Sequence, residues 1–338
     1  MDDARPARPR STAGAAPLRV PGSVRRTSSI DVSWPEGRAG NARLIGRARD
    51  IVTPDSGGSP LTCAEDAFEA WLKLDLTIVA IEAQPPRPAL ARLAGTRVGS
   101  GLRQALAQAA PEERRLATPL YLILDDIAGT SLVSSWAWSH WNPNWLAEVR
   151  AAFSNSGTSQ TVRTMEGVCI GMVPGSSAFD PHRERDPTPV PELRNPDDPE
   201  GWHAFTVQDG AVGMRRARRI DVWREQGVIV IDSAFQDSAT TPAGGRMAVH
   251  EYRLHVTADP RSLWLLSAEA DARVLPHPEC TAAAANLSRL LGSPLPALRE
   301  KVLAELRGTA GCTHLNDAMR ALAEVPALLK HLDDRPAP

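Results

Sequence analysis

The stretch Arg25-Arg26-Thr27-Ser28-Ser29-Ile30-Asp31-Val32 returns 190 residues later as Arg215-Arg216-Ala217-Arg218-Arg219-Ile220-Asp221-Val222. Gly37 and Gly227 keep the same separation. Farther on, Ile81-Glu82-Ala83 is echoed by Ala268-Glu269-Ala270, and Leu90-Ala91-Arg92-Leu93-Ala94-Gly95 by Leu287-Ser288-Arg289-Leu290-Leu291-Gly292. Ala128-Gly129-Thr130-Ser131-Leu132 then stands opposite Gly311-Cys312-Thr313-His314-Leu315. Matches that keep their order along the chain predict an internal duplication.

Each copy reads as strands followed by helices. In the second copy, 220–231, 247–257 and 263–270 are rich in Val, Leu, Ile and Trp, which predicts an antiparallel meander. After Cys280, Thr281 is placed to cap a helix over 282–291, with Gly292 just past its end. Further helices are expected over 297–307, stopped by Gly308, and from about 316, where Pro326 breaks or restarts the run. The expected fold class is α+β: two duplicated units, each an antiparallel sheet covered by helices on one face, packed as a pseudo-dimer. Residues 1–22 lack apolar periodicity and are expected to be a disordered tail. The first unit then covers 23–132, a Trp-rich insertion and linker 133–205, the second unit 206–332 and a short tail 333–338.

Composition excludes several classes. In 338 residues, Lys+Arg 38 nearly cancel Asp+Glu 40, so no global field draws nucleic acid or an anionic membrane. Mean hydropathy is −0.25 and no run of about 18 apolar residues occurs, so no membrane-spanning helix is expected. The start carries Arg and Pro but no apolar secretory segment, which leads to a cytoplasmic expectation. Four cysteines, Cys63, Cys169, Cys280 and Cys312, do not make a disulfide framework in such a chain. Lys73, Lys301 and Lys330 are the only lysines, and the abundance of Arg reads as base composition rather than as a phosphate site.

The insertion has no counterpart in the second copy. It holds Trp136, Trp138, Trp141 and Trp145, which read either as an inter-unit packing surface or as an aromatic wall over a pocket. Val168 to Val173 reads as a strand entering the turn Pro174-Gly175-Ser176-Ser177, a weak candidate for anion binding. The acids of 195–201 read as solvated.

Reactive side chains gather in the second copy. Strand period two puts His250 on the apolar face with Tyr252, Leu254 and Val256, while Glu251, Arg253 and His255 take the other. Pro276-His277-Pro278-Glu279-Cys280 and Gly311-Cys312-Thr313-His314-Leu315 each place a thiol at the start of a helix, where orphan N–H groups favour thiolate. Inward histidines and buried cysteines are also ordinary core residues, the reading given to Cys63 and Cys169. The first copy serves as an internal control: opposite Cys312 and His314 stand Gly129 and Ser131, near His250 stands Phe68 or a neighbour, and opposite Cys280 the run Gln84-Pro85-Pro86-Arg87-Pro88 has no thiol. One active and one degenerate unit follows.

The paired arginines before Ile30-Asp31, the strand histidine with its adjacent acid, the Pro-x-x-Cys element and Gly311-Cys312-Thr313-His314-Leu315 together resemble the bacterial domain of unknown function 2889, over nearly the whole chain. More distantly, the second copy resembles iron-sulfur scaffold proteins of the NifU and SufE type. Cys312-Thr313-His314-Leu315-Asn316-Asp317-Ala318 has the form of their last helix start, and Gly292-Ser293-Pro294-Leu295 that of their turn. That resemblance implies a ligand pocket at this place, with His250 standing where those proteins have Cys.

Two chemistries fit. His250, Cys280, Cys312 and His314 would bind zinc or iron as a set of sulfur and nitrogen ligands. Without metal, Cys312 would be the nucleophile and His250 its base in preference to His314, because residues two apart on a helix diverge. The expected function is a small-molecule enzyme acting on a carbonyl or acyl-thioester substrate. The alternatives are a metal or iron-sulfur carrier and a non-catalytic interaction protein with a structural metal site.

Overall fold

Gln226 and Gly227 both take positive φ, 48° and 80°, and with that two-residue turn the run 220–231 folds back on itself as two strands. The computed structural model describes residues 15–55, 59–99, 101–145, 147–148, 165–180 and 188–334. The expected disorder of 1–14 and the end of the short tail lie outside the described residues. The strands are β1 (Ser23–Ser33), β2 (Ala42–Thr53), β3 (Leu61–Leu72), β4 (Ile78–Gln84), β5 (Thr188–Val190), β6 (Gly213–Glu225), β7 (Val228–Thr240), β8 (Arg246–Ala258) and β9 (Leu265–Val274). The helices are α1 (Leu102–Ala109), α2 (Pro111–Leu116), α3 (Pro119–Ser134), α4 (Trp138–Trp141), α5 (Leu298–Glu305), α6 (Thr313–Ala321) and α7 (Val325–Asp333).

The fold is α+β, built on one nine-stranded sheet. The meander β1–β4 and the meander β6–β9 meet edge to edge, β1 running antiparallel to β6, and β5 adds three residues to β8. Along β1, Val24, Ile30 and Val32 enter the apolar cores under the helices, while Arg25 and Asp31 point to the opposite face. Leu120, Ile123, Leu124 and Ile127 of α3 fill one core, and Leu298, Leu315, Met319, Leu322 and Leu328 of the C-terminal helices the other.

Five of the largest fully buried side chains are arginines on the two central strands: Arg25, Arg26, Arg215, Arg216 and Arg218. Arg abundance is therefore structural here as well as compositional. On one face Arg25 clamps Asp221 at 2.6 and 2.8 Å, and Arg215 clamps Asp31 at 2.6 and 2.8 Å. On the helix face Arg26 clamps Asp50 and reaches Glu324, while Arg216 clamps Asp237 and Arg218 clamps Asp126. Bidentate geometry satisfies the forks that burial would otherwise leave uncompensated.

Three local readings change. Residues 15–22 are ordered: the Ala16 N–H donates to Leu193 O, Pro17 O accepts from Arg25, and Arg19 pairs with Asp198 at 2.7 Å. Asp198 is buried rather than solvated, because the 188–206 segment covers the sheet face that the helices leave bare. Cys280 opens no α-helix: Pro278–Leu290 is a 3-10 run in which Thr281 Oγ1 donates back to Pro278 O instead of capping.

Candidate functional site

The ladder between β7 and β8 pairs Asp237 with His250 and then Ser238 with Ala248, so Val249 is an extra residue. That bulge aims His250 beneath the helices next to Asp237. Tyr252 and His250 share this face, and His255 is exposed on the other, as expected. Cys312 is the N-cap of α6, at φ −106° and ψ 129°, and its carbonyl accepts the first helical hydrogen bond from Asn316 at 2.8 Å. Cys312 stands outside the helix as its N-cap, and His314 helps to draw its thiol down.

The His250 and His314 rings stack with centroids 3.5 Å apart and planes at 22°. His250 Nδ1 lies 3.3 Å and His314 Nε2 3.8 Å from Asp237 Oδ2. Neither nitrogen completes a hydrogen bond, and all three residues are buried. Donor atoms of Asp237, His250 and His314 fall within 4.8 Å of one another, and among the described residues this is the group so placed. Of the four residues read from the sequence, His250 and His314 fall in this group and Cys280 and Cys312 do not; Asp237 is its third member. Burial opposes ionisation of Asp237, but Arg216 and the His250 contact outweigh it and hold the carboxyl below its ordinary range. Burial, reinforced by His314, lowers His250 to about 4, so at neutral pH its ring is uncharged and able to act as a ligand.

A second cluster adjoins the first. The neighbouring Cys280 draws the Cys312 thiol down against burial, with help from His314 and Tyr252, and Cys312 together with burial pushes Cys280 up. The Tyr252 hydroxyl is held protonated by burial and by Cys312, which it faces. Cys169, read as a core residue, joins this cluster, and burial raises its thiol. Ile170–Met172 is a 3-10 turn rather than a strand, tied down by the bond from Ile170 N–H to Gly311 O at 2.8 Å. In the following turn, Ser177 N–H and Oγ donate to the Glu279 carboxylate at 2.8 and 2.7 Å, so the proposed anion-binding groups are engaged internally. Gly171 lies against the Cys280 sulfur, and a Cβ there would overlap it. Gly171→Ala should cost about 1–3 kcal/mol, as overpacking does, and thermal unfolding will measure it.

Trp136, Trp138 and Trp141 do not roof this place. Trp136 packs on the core of the first meander, Trp138 meets Trp34 edge-on at 5.5 Å, and Trp141 Nε1 donates to Thr240 O at the end of β7. Gly129 and Ser131 lie in the middle of α3, not at a helix start, so their pairing with Cys312 and His314 is also corrected. The N-cap of α3 is Thr118, which accepts from the Tyr121 N–H at 3.3 Å.

Sequence reasoning missed Asp237 and Tyr252. A usable signal existed: each arginine pair is followed, one strand later, by an aspartate opposite its second arginine, Arg26 with Asp50 and Arg216 with Asp237. No curated protein and no solved structure matches the chain. Residues 214–328 match the family described as Protein of unknown function (DUF2889), so the portion similar to that family is the second meander with its helices, which carries Asp237, His250, Tyr252, Cys280, Cys312 and His314.

Proposed function

We propose that the second meander and its helices form a metal-dependent small-molecule enzyme centre. Asp237, His250 and His314 hold a divalent cation, zinc or iron, and Cys312 is the adjacent nucleophile. The carrying observation is the pair of buried imidazole nitrogens, both without a hydrogen-bond partner, that converge on one carboxylate oxygen. Orphaned buried polar atoms are costly, and a cation satisfies both nitrogens at once, with Asp237 Oδ2, which also accepts from Arg216 at 2.9 Å, as the third ligand. Bound there, the cation would act as a Lewis acid on a carbonyl or acyl-thioester oxygen while the Cys312 sulfur attacks the carbonyl carbon. Cys280, His314 and Tyr252 draw that thiol down against burial.

We propose further that the chain is a duplication with one active unit and one degenerate unit, packed as a pseudo-dimer. Each meander has the same strand order outward from the centre, the clamps Arg25–Asp221 and Arg215–Asp31 exchange roles across it, and both ladders bulge beside the corresponding aspartates. By this register Ala64 answers His250, replacing Phe68 in the earlier pairing, and Thr118 answers Cys312. The aspartate and the arginine are kept, while the ligand histidine and the thiol are not.

Metal analysis of chain purified without chelator should find about one cation per chain, falling to background in His250→Ala, His314→Ala and Asp237→Asn. Cys312→Ser should retain the cation and lose turnover on a panel of acyl thioesters and aldehydes. Equal metal content in the histidine variants and the parent would defeat the assignment.

A further inference from the structure

We infer that the groove between α2 and α7 binds a small organic phosphate monoester, whose phosphate meets Arg114, Arg115 and Lys330 and whose apolar body lies along the groove wall. The cavity measures about 480 Å³, within the roughly 300–1,000 Å³ of small-molecule sites. Its cause is local. The six-residue helix α2 has no buried residue, starts at Pro111 and ends at Ala117 in the left-handed region at φ 51°, so it lies on the surface and leaves the space between itself and α7 unfilled. Opposite, α7 begins Val325-Pro326, and Pro296 stands in the 3-10 turn Leu295–Ala297. Prolines have no N–H to offer a polar ligand, and together with Ala327 and the 50% exposed Leu116 they make the wall apolar.

The charges are one-sided. Four cations line the groove, Arg114, Arg115, Arg299 and Lys330, against one carboxylate, Glu300. Arg299 is held by Asp125 at 3.1 Å and by Glu324, so it serves as wall. The other three are exposed and lightly engaged: Arg114 pairs with Glu300 and Arg115 with Glu112, and Lys330 has no ion-pair partner among the described residues. Such exposed pairs hold weakly, so a more highly charged anion displaces their carboxylates at little cost. A phosphate dianion answers the three cations better than a single carboxylate does: two guanidinium forks can each donate to its oxygens, and the ammonium acts as a point charge. Inorganic phosphate alone would leave the apolar wall uncovered, which is why the ligand class is an organic monoester.

Isothermal titration of the full chain with hexyl phosphate, at neutral pH and low salt, tests the assignment, with inorganic phosphate, hexanoate and hexylammonium as comparisons. Hexyl phosphate should bind at one site per chain and about tenfold tighter than either inorganic phosphate or hexanoate, and hexylammonium should give no binding heat. Lys330→Glu and Arg115→Glu should each weaken hexyl phosphate about tenfold, the worth of one charged contact. Both side chains are exposed, so these variants should keep the parent's unfolding temperature. Ala327→Trp, which fills the groove, should abolish binding. Inorganic phosphate, hexanoate or hexylammonium binding as tightly as hexyl phosphate, or unchanged affinity in both charge-reversed variants, overturns the proposal, and the charge-reversed pair decides even if Ala327→Trp fails to fold. None of Asp237, His250 and His314 lines the groove, so binding should be the same with and without chelator, and this proposal and the metal assignment fail independently.

Discussion

Arg26→Leu lowers the unfolding free energy by about 3–5 kcal/mol, the cost of breaking a buried ion pair from one side. Arg26 donates to Asp50 at 2.6 and 2.6 Å and also reaches Glu324, and both carboxylates are 0% exposed. The substitution leaves Asp50 without its guanidinium, with only His331 near it at 3.3 Å, while Glu324 keeps Arg299. Asp50 is now held low because Arg26, helped by His331, outweighs the effect of burial; without the arginine, burial opposed by His331 alone pushes the carboxyl up. The deficit should therefore shrink as pH falls and the stranded Asp50 carboxylate protonates. Urea unfolding at pH 7 and pH 5 measures both effects, and Arg43→Ala is the control. Arg43 pairs with Glu69 at 2.9 Å near the surface, where such pairs contribute about 0–1 kcal/mol. Equal losses in the two variants would show that the Arg26 cluster contributes nothing special.

Metal-free protein loses about 2 kcal/mol of stability between pH 7 and pH 5 through His250. The unfolded imidazole takes its proton near 6.5, the folded one only near 4, because burial and the facing His314 oppose the charge. In that window the unfolded chain binds more protons, so stability rises with pH. The contribution is complete above about 6.5 and gone below about 4. Asp237 adds a loss of the same sign at lower pH, since its folded carboxyl lies below the ordinary value and protonation there breaks the Arg216 clamp. His250→Gln should flatten the profile between pH 5 and pH 7. A variant as pH-sensitive as the parent would remove His250 as the titrating group. Chelator-treated samples are needed because a bound cation adds its own proton competition at the same nitrogen.

Local pattern made much of the fold readable. Alternation along β8 put His250 and Tyr252 on one inward face, and Gly292 with Pro326 marked where the C-terminal elements stop and restart. Other features resist such reading because their cause is not local. Thr281 has the right chemistry for a cap, but the packing of Pro278–Leu290 under β9 holds a 3-10 run there. Asp198 looks solvated in a turn-rich sequence and is buried because Arg19 and Arg25, far away in the chain, need its charge.

The sequence by itself determined the class of architecture, the repeated arginine-rich strand, and the concentration of histidine and thiol in the second half, because periodicity and composition act over a few residues. Only the tertiary structure decided that Asp237 is the third member beside His250 and His314, that Cys169 joins Cys280 and Cys312, and that the tryptophans face elsewhere. Those relations depend on strand register and on which loop covers which face. A single bulged residue, Val249, is enough to set the register, and its position is fixed by contacts made across the sheet rather than along the chain.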